Sequence, residues 1–347
     1  MPNIRISLIG PNFFSYVQAI CEEFISRGYP CQYFDERHSN SIATKIAYRL
    51  RLHSLLKHKR DQHLSTIRDQ IILSKATDVF LINVEVVDPT FVKDLRSHGI
   101  CVHLYMWDSS QNKNSFLKLL PLVNGRASFE PVDCARYNLT YIPLFAEKIF
   151  CNPNLNQSVR NDEVVFLGTL HSHRAVLLSK LEHTLAEKGF KIKKLLYYHS
   201  TFLYLIKCFF HPIAIQFFFH IRTKAFNKLE IANVYFKSRA VLDIHHPGQT
   251  GLTSRTFESL RSGAYLITLN KTALTLPIEL RHRVILLANV SELADRIAET
   301  RHERPQLSRQ ADYFLSLERF AEELLAIGGL RPRQEVITNP IEMKHYT

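Results

Sequence analysis

The sequence has no Cys-x-x-Cys pair, no Asp-x-Asp motif, no internal repeat and no low-complexity block. Its six cysteines, Cys21, Cys31, Cys101, Cys134, Cys151 and Cys208, are scattered, which excludes a disulfide scaffold and reads as free thiols in a reducing compartment. Residues 1–10 run straight into a strand-like stretch without a basic region, apolar core and cleavage site, so no signal peptide and a cytoplasmic location are expected. Histidine is plentiful at 17 residues, but His171/His173 and His245/His246 lack carboxylate or thiolate companions at ligand spacing, so no structural metal is expected. A clean apolar run long enough to span a bilayer is also missing. The most apolar stretch, 201–219, is interrupted by Lys207, His211, Pro212 and Gln216.

What remains is an ordinary soluble composition, 46% hydrophobic and 22% charged, in a chain of 347 residues. A single compact core stops growing near ~250–300 residues, so two domains are expected. Lys and Arg exceed Asp and Glu by 12, giving a pI near 9.4. That excess draws the protein towards something anionic: nucleic acid, an acidic membrane surface or a phosphorylated substrate.

Short apolar runs alternate with longer amphipathic segments through the first 145 residues, the pattern of buried parallel strands covered by helices. A first strand at 4–9 turns through Gly10-Pro11-Asn12 into a helix over 13–27, with Phe14, Val17, Ile20, Cys21 and Phe24 at helical spacing. Strands follow at 31–34, 79–83, 101–106, 125–129 and 141–143, with a basic helical excursion over 42–74. The polar stretch 152–162 has linker composition. A second domain over 160–305 opens on the strand Val164-Val165-Phe166-Leu167-Gly168 and carries an aromatic insertion at 197–226. One C-terminal helix over about 306–328 and a tail from 329 complete the chain.

The segment 241–268 reads as strand, polar loop, helix, Gly turn and strand. A strand feeding a helix N-terminus presents unpaired N–H groups and a helix dipole, which favour phosphate. Thr250, Gly251, Leu252 and Thr253 would let the backbone approach a diphosphate and supply hydroxyl donors, and Arg255 adds a cation suited to bidentate contact. Glu258, one turn further, is placed to accept ribose hydroxyls. The plainer reading of Arg255 and Glu258 is a surface ion pair, and of Gly263 an ordinary helix end.

Arg255, Phe257, Glu258 and Gly263 match the Arg-x-Phe-Glu-x-x-x-x-Gly pattern of the donor site in GT-B glycosyltransferases, and the chain here resembles the group 1 and spore-maturation-protein-like families. Val165 to Gly168 with Arg174 resembles the strand and loop that open the same domain, so the likeness spans about residues 160–300. It implies an α/β fold of two Rossmann-like domains facing across a cleft, a nucleoside-diphosphate sugar as co-substrate, and no cofactor. The residue eight before Glu258 is Thr250, not the Glu of many group 1 members, so the chemistry of retaining members does not carry over. Contacts of this kind need no divalent ion, and with no Asp-x-Asp motif the chemistry is expected to be metal-independent.

In the first domain Glu85 and Asp108 follow strand-like runs, where ligands of open α/β sheets bind, and each is a candidate general base. The plainer reading of Asp108 is a helix N-cap, because Ser109, Ser110 and a helix-like stretch follow it. Gly10 and Asn12 fall on the same, acceptor side. In the second domain His246 is a candidate for donor contact and His245 for packing. The stretch 201–219 is densely aromatic and flanked by Lys191, Lys193, Lys194, Arg222 and Lys224. It is either an interfacial hairpin for an anionic membrane or a pair packed on the core or a partner copy. Lys45, Arg49, Arg51, Lys57, Lys59 and Arg60 either extend that surface or form a solvated face.

The expected activity is therefore sugar transfer from a nucleotide sugar to a glycan or lipid-linked acceptor, of the kind used in bacterial surface polysaccharide assembly, in the cytoplasm or on the inner membrane face. The alternatives are a sugar-nucleotide epimerase or hydrolase of the same fold, and a non-catalytic membrane-binding protein. Nucleic-acid binding is disfavoured because the positive charge is spread out with no recognition motif beside it.

Overall fold

A computed structural model describes residues 4–39, 53–151, 161–170, 172–198, 200–246, 248–287, 289–300 and 306–330. The sequence readings on His171, on 42–52 with Lys45, Arg49 and Arg51, on 152–160 and on the tail beyond 330 lie outside the described residues.

The described strands form two six-stranded sheets, all parallel. The first contains β1 (Ile6–Gly10), β2 (Cys31–Asp35), β3 (Asp78–Ile82), β4 (Cys101–Met106), β5 (Gly125–Ser128) and β6 (Thr140–Tyr141), in the order β2-β1-β3-β4-β5-β6. The second contains β7 (Asn161–Gly168), β8 (Lys191–Tyr197), β9 (Ile221–Arg222), β10 (Ser238–Asp243), β11 (Tyr265–Thr268) and β12 (Val284–Leu286), in the order β12-β11-β10-β7-β8-β9. Every residue of β1, β3 and β10 is buried, as expected of central strands covered on both faces by helices. The last two residues of the stretch read as linker, Asn161 and Asp162, already belong to β7.

In each sheet the order reverses once, between β1 and β3 and between β7 and β10. At such a reversal the two flanking crossovers leave in opposite directions, and the gap at the carboxyl ends of the strands becomes a crevice for ligands. Gly10 ends β1, and Gly168 and Asp243 end β7 and β10.

Two boundaries differ from expectation. The first helix runs Tyr16–Ser26 rather than from residue 13, because Phe14 and Ser15 adopt left-handed conformations, φ 49 and 53, that no helix contains. The C-terminal helix is two helices, Arg309–Leu315 and Leu317–Ile327, broken at Ser316, whose side chain accepts the N–H of Arg319 and caps the second. The first packs on the second domain through Ala311 and Leu315. The second crosses back to the first domain, where Phe320, Ala321, Leu324 and Leu325 join Ile6, Leu8, Phe80 and Ala127. The first domain is thus completed by chain from the other end of the sequence.

Candidate active site

The end of β10 and the start of helix Ser254–Arg261 converge on one buried carboxylate. Asp243 accepts from the Thr253 hydroxyl at 2.6 Å and the Thr256 hydroxyl at 3.1 Å, and contacts Arg255 Nη1 at 3.2 Å. Thr253 occupies the N-cap position, but its hydroxyl turns to Asp243 instead of capping. Arg174, in the first turn of helix Ser172–Ala186, donates to the Ile244 carbonyl at 2.7 Å and the Thr169 carbonyl at 3.3 Å. Burial, reinforced by the neighbouring Arg255 charge, lowers the Arg174 guanidinium to about 10. Gly168, at φ 155, sits where an added Cβ would lie 3.8 Å from Arg174 Nη1. Two guanidinium groups at the switch point therefore share one buried carboxylate, Asp243, which leaves a positive, partly desolvated corner suited to a dianionic group.

Glu258 lies deeper than a surface ion pair. It is 4% exposed, accepts from the Tyr16 hydroxyl at 2.7 Å, and is pushed up to about 7 by burial, with the Tyr16 bond and Arg255 opposing. Lys228 Nζ stands 5.0 Å from the Tyr16 ring centre and pairs with Glu147. Tyr16 belongs to the first domain and Glu258 to the second, so this hydrogen bond closes the cleft.

The loop expected to cradle phosphate makes a different contact in this conformation. The Thr250 and Gly251 amides donate to Glu130 Oε2 at 2.9 and 3.0 Å, and the Thr250 hydroxyl donates to Glu130 Oε1. Gly251 is required because a Cβ would meet the Phe129 ring at 2.6 Å and the Phe129 carbonyl at 2.7 Å. Ser109 donates to the Gly248 carbonyl at 3.2 Å, and Asn270 holds the Thr250 and Gly251 carbonyls from behind. The amides that would take an anion are thus engaged by a carboxylate of the other domain. The Leu252 side chain is part of the second-domain core, so only its backbone faces the loop. His246 is exposed beside the loop, whereas His245 is half-buried and shifted down by burial, as a packed residue is.

On the acceptor side Glu85 is tied to Arg37 at 2.9 Å, while Asp108 accepts from Asn83 Nδ2 at 3.0 Å with Lys113 Nζ 3.6 Å away. Asp108 is not an N-cap, since a turn rather than a helix follows it. Gly10 is a packing residue, because a Cβ there would lie 2.6 Å from the Ile82 carbonyl. Asn12 is exposed at the same strand end. Non-glycine residues in left-handed conformations gather here, Phe14, Ser15 and Asn83, and such strain is often retained at ligand sites. Fully buried Glu36 accepts the Glu85 and Val86 N–H groups at 2.7 and 2.9 Å.

Sequence reasoning missed Tyr16, Glu36, Glu130 and Asp243. The rule that singled out Glu85 and Asp108, an acid after a strand, applies equally to Glu130 after β5. Asp243 lay inside the quoted segment. No local signal pairs Tyr16 with a residue 242 positions away. Among the described residues no group of three or more His, Cys, Asp or Glu side chains is arranged to hold a metal.

Two facing Rossmann-like domains with a cleft at both switch points define the GT-B fold, as in solved GT-B glycosyltransferases and UDP-GlcNAc 2-epimerases. No protein-family description and no curated protein sequence matches the chain. Solved structures do. The chain is similar to the UDP-GlcNAc 2-epimerase of Methanocaldococcus jannaschii in complex with UDP-GlcNAc and UDP, with 11% identity and a TM-score of 0.54 over 93% of this chain and 100% of that one. It is similar to a glycosyltransferase from Rickettsia africae at 11% identity and a TM-score of 0.56, covering 94% and 98%. It is also similar to the lipopolysaccharide outer core galactosyltransferase WaaB, at 11% identity and a TM-score of 0.53, covering 94% and 99%.

Proposed function

We propose that the protein is a glycosyltransferase that moves a sugar from a nucleoside-diphosphate sugar to a glycan or lipid-linked acceptor, without a metal, in bacterial surface polysaccharide synthesis. The observation that supports it most is the Arg174–Arg255 pair at the β7/β10 switch point, with Gly168 beside it and one carboxylate between. As the glycosidic bond to the diphosphate breaks, negative charge grows on the leaving oxygen. Two fixed cations in a low-dielectric corner stabilise that charge more than they stabilise the intact donor, which is the condition for acceleration. Glu258 takes the ribose once Tyr16 swings away with the first domain. Thr250, Gly251 and Thr253 line the same face, with their amides released when Glu130 separates. Of the two carboxylates on the acceptor side, Asp108 suits proton removal better than Glu85, since its side chain is 37% exposed and it lacks a guanidinium partner.

The epimerase reading shares all donor contacts and differs only in needing no acceptor. Incubation with a panel of UDP- and GDP-sugars, with and without a lipid-linked oligosaccharide acceptor, separates them. Label transfer that requires acceptor supports the proposal. Acceptor-independent interconversion of donor sugars supports the epimerase, and free sugar with no acceptor product supports a hydrolase.

A further inference from the structure

The crossover from β8 to β9 is made by a helix, Thr201–Phe210, and a 3-10 helical stretch, Pro212–His220, in place of an ordinary polar-backed helix. Their inner face is settled: Tyr204, Cys208, Ala214 and Phe217 are buried in the second-domain core, and the Tyr204 hydroxyl donates to the Ala214 carbonyl at 2.7 Å, tying the two halves together. The outer face is apolar as well. Phe202, Phe209, Phe210, Ile215 and Phe219 are 69%, 82%, 70%, 64% and 94% exposed. Soluble monomers rarely show such a contiguous patch unless it meets another phase or another molecule. No helix among the described residues is long and apolar enough to cross a membrane, so the hairpin would lie on a surface and not through one.

Charge decides what covers it. Between Glu187 and Glu230 the sequence has no Asp or Glu, yet it has eight Lys and Arg residues. Some pair with carboxylates outside the segment, as Lys194 does with Glu182 and Arg222 with Glu230. Lys191, Lys207 and Lys224 have no carboxylate within ion-pair distance among the described residues. Protein interfaces are depleted in lysine at their centres and mix both signs at the rim. Exposed aromatics on a segment that carries lysine and arginine but no acid of its own fit the headgroup layer of an anionic bilayer, where rings sit at the acyl boundary and lysines reach lipid phosphate. The chain's overall excess of 12 positive charges adds a long-range pull in the same direction.

We propose that the 201–219 hairpin docks the second domain onto an anionic lipid bilayer. The hairpin leaves from the carboxyl end of β8, the neighbour of β7, so docking holds the carboxyl edge that bears Gly168 close to the lipid surface. Docking does not depend on the catalytic reading, and it is measured without nucleotide.

The test uses the full chain and sedimentation with vesicles of phosphatidylcholine alone or with phosphatidylglycerol. The triple variant Phe209→Ser/Phe210→Ser/Phe219→Ser alters only exposed side chains, and an unchanged thermal midpoint verifies its fold. Wild type is expected to bind the anionic vesicles about tenfold or more tightly than the variant, and to bind less to neutral vesicles and in high salt. A single Phe219→Trp variant, read against wild type, should gain a blue-shifted emission component on adding anionic vesicles. Wild type left in the supernatant with anionic vesicles, or a triple variant that sediments equally, overturns the proposal. Self-association in light scattering that the triple variant abolishes, without vesicle binding, also overturns it and assigns the patch to a second copy of the chain.

Discussion

Glu258 sits against one hydroxyl, with a guanidinium nearby, and burial holds its carboxyl near 7. A carboxyl whose folded value exceeds its unfolded value binds more protons when folded, so stability falls as pH rises from the unfolded value of about 4.5 to about 7. The full effect is of order ~3 kcal/mol. Glu258→Gln keeps an acceptor for Tyr16 and removes the titration. Its thermal midpoint should therefore gain on wild type between pH 5 and about 7 and hold that gain above it, and parallel curves would mean that Glu258 ionises without cost. Arg255 and Arg174 act on a different axis. If they receive a diphosphate, Arg255→Ala should weaken UDP binding by ~10–100-fold, the loss expected for charge-assisted hydrogen bonds, and Arg255→Lys by less. Isothermal titration measures both, and unaltered affinity in Arg255→Ala would remove the phosphate role from this residue.

The loop from 248 to 253 works as an element, because its glycines and amides are matched to a wall of the other domain. Phe129 fills the space that a side chain at 251 would need, and Glu130 takes three donors from two consecutive residues. Glu130→Gln weakens those bonds and replaces a charged acceptor with a neutral one. The Thr250 and Gly251 amides should then exchange with deuterium at least ~10-fold faster, equivalent to ~1.4 kcal/mol of lost protection. Unchanged exchange at those two amides would show that the loop is held by Asn270 and its own turn. The same loop shows what the sequence made legible. Strand, loop and helix were readable because β10 is a continuous buried run and Arg255 to Gly263 is a local pattern with fixed spacing. The partners were not, since Glu130 meets the loop, and Tyr16 the helix after it, only through the closure of two domains. Helix ends failed for a similar reason: apolar spacing continues through Phe14 and through Ser316, while left-handed backbone at one and a capping hydroxyl at the other interrupt the helix.

At the scale of the molecule, the chain crosses between domains at 143–151 and returns at 311–317, and both crossings are tied with arginines. Arg261 donates to the Ala146 carbonyl at 2.7 Å and pairs with Asp312 at 2.9 Å; Arg319 donates to the Pro143 carbonyl at 3.0 Å. These bonds tie the two crossings together through residues distinct from those of the Tyr16–Glu258 and Glu130–Thr250 contacts. The returning helix is more than a strap, because Phe320 is fully buried between Tyr105 at 5.0 Å and Phe145 at 4.6 Å, ring centre to ring centre. Phe320→Ala should cost ~3–5 kcal/mol, the usual range for removing a buried ring and leaving its cavity. Because that cavity opens in the first-domain core, the loss should register as faster proteolysis and earlier urea unfolding of residues 4–151, although position 320 lies beyond the second domain. UDP affinity, set by the β7/β10 corner, should stay within ~3-fold, since sites this far apart without shared partners add independently. A variant that kept first-domain stability but lost UDP binding would instead place the C-terminal helix in the donor site and not in the core that the chain's two ends build together.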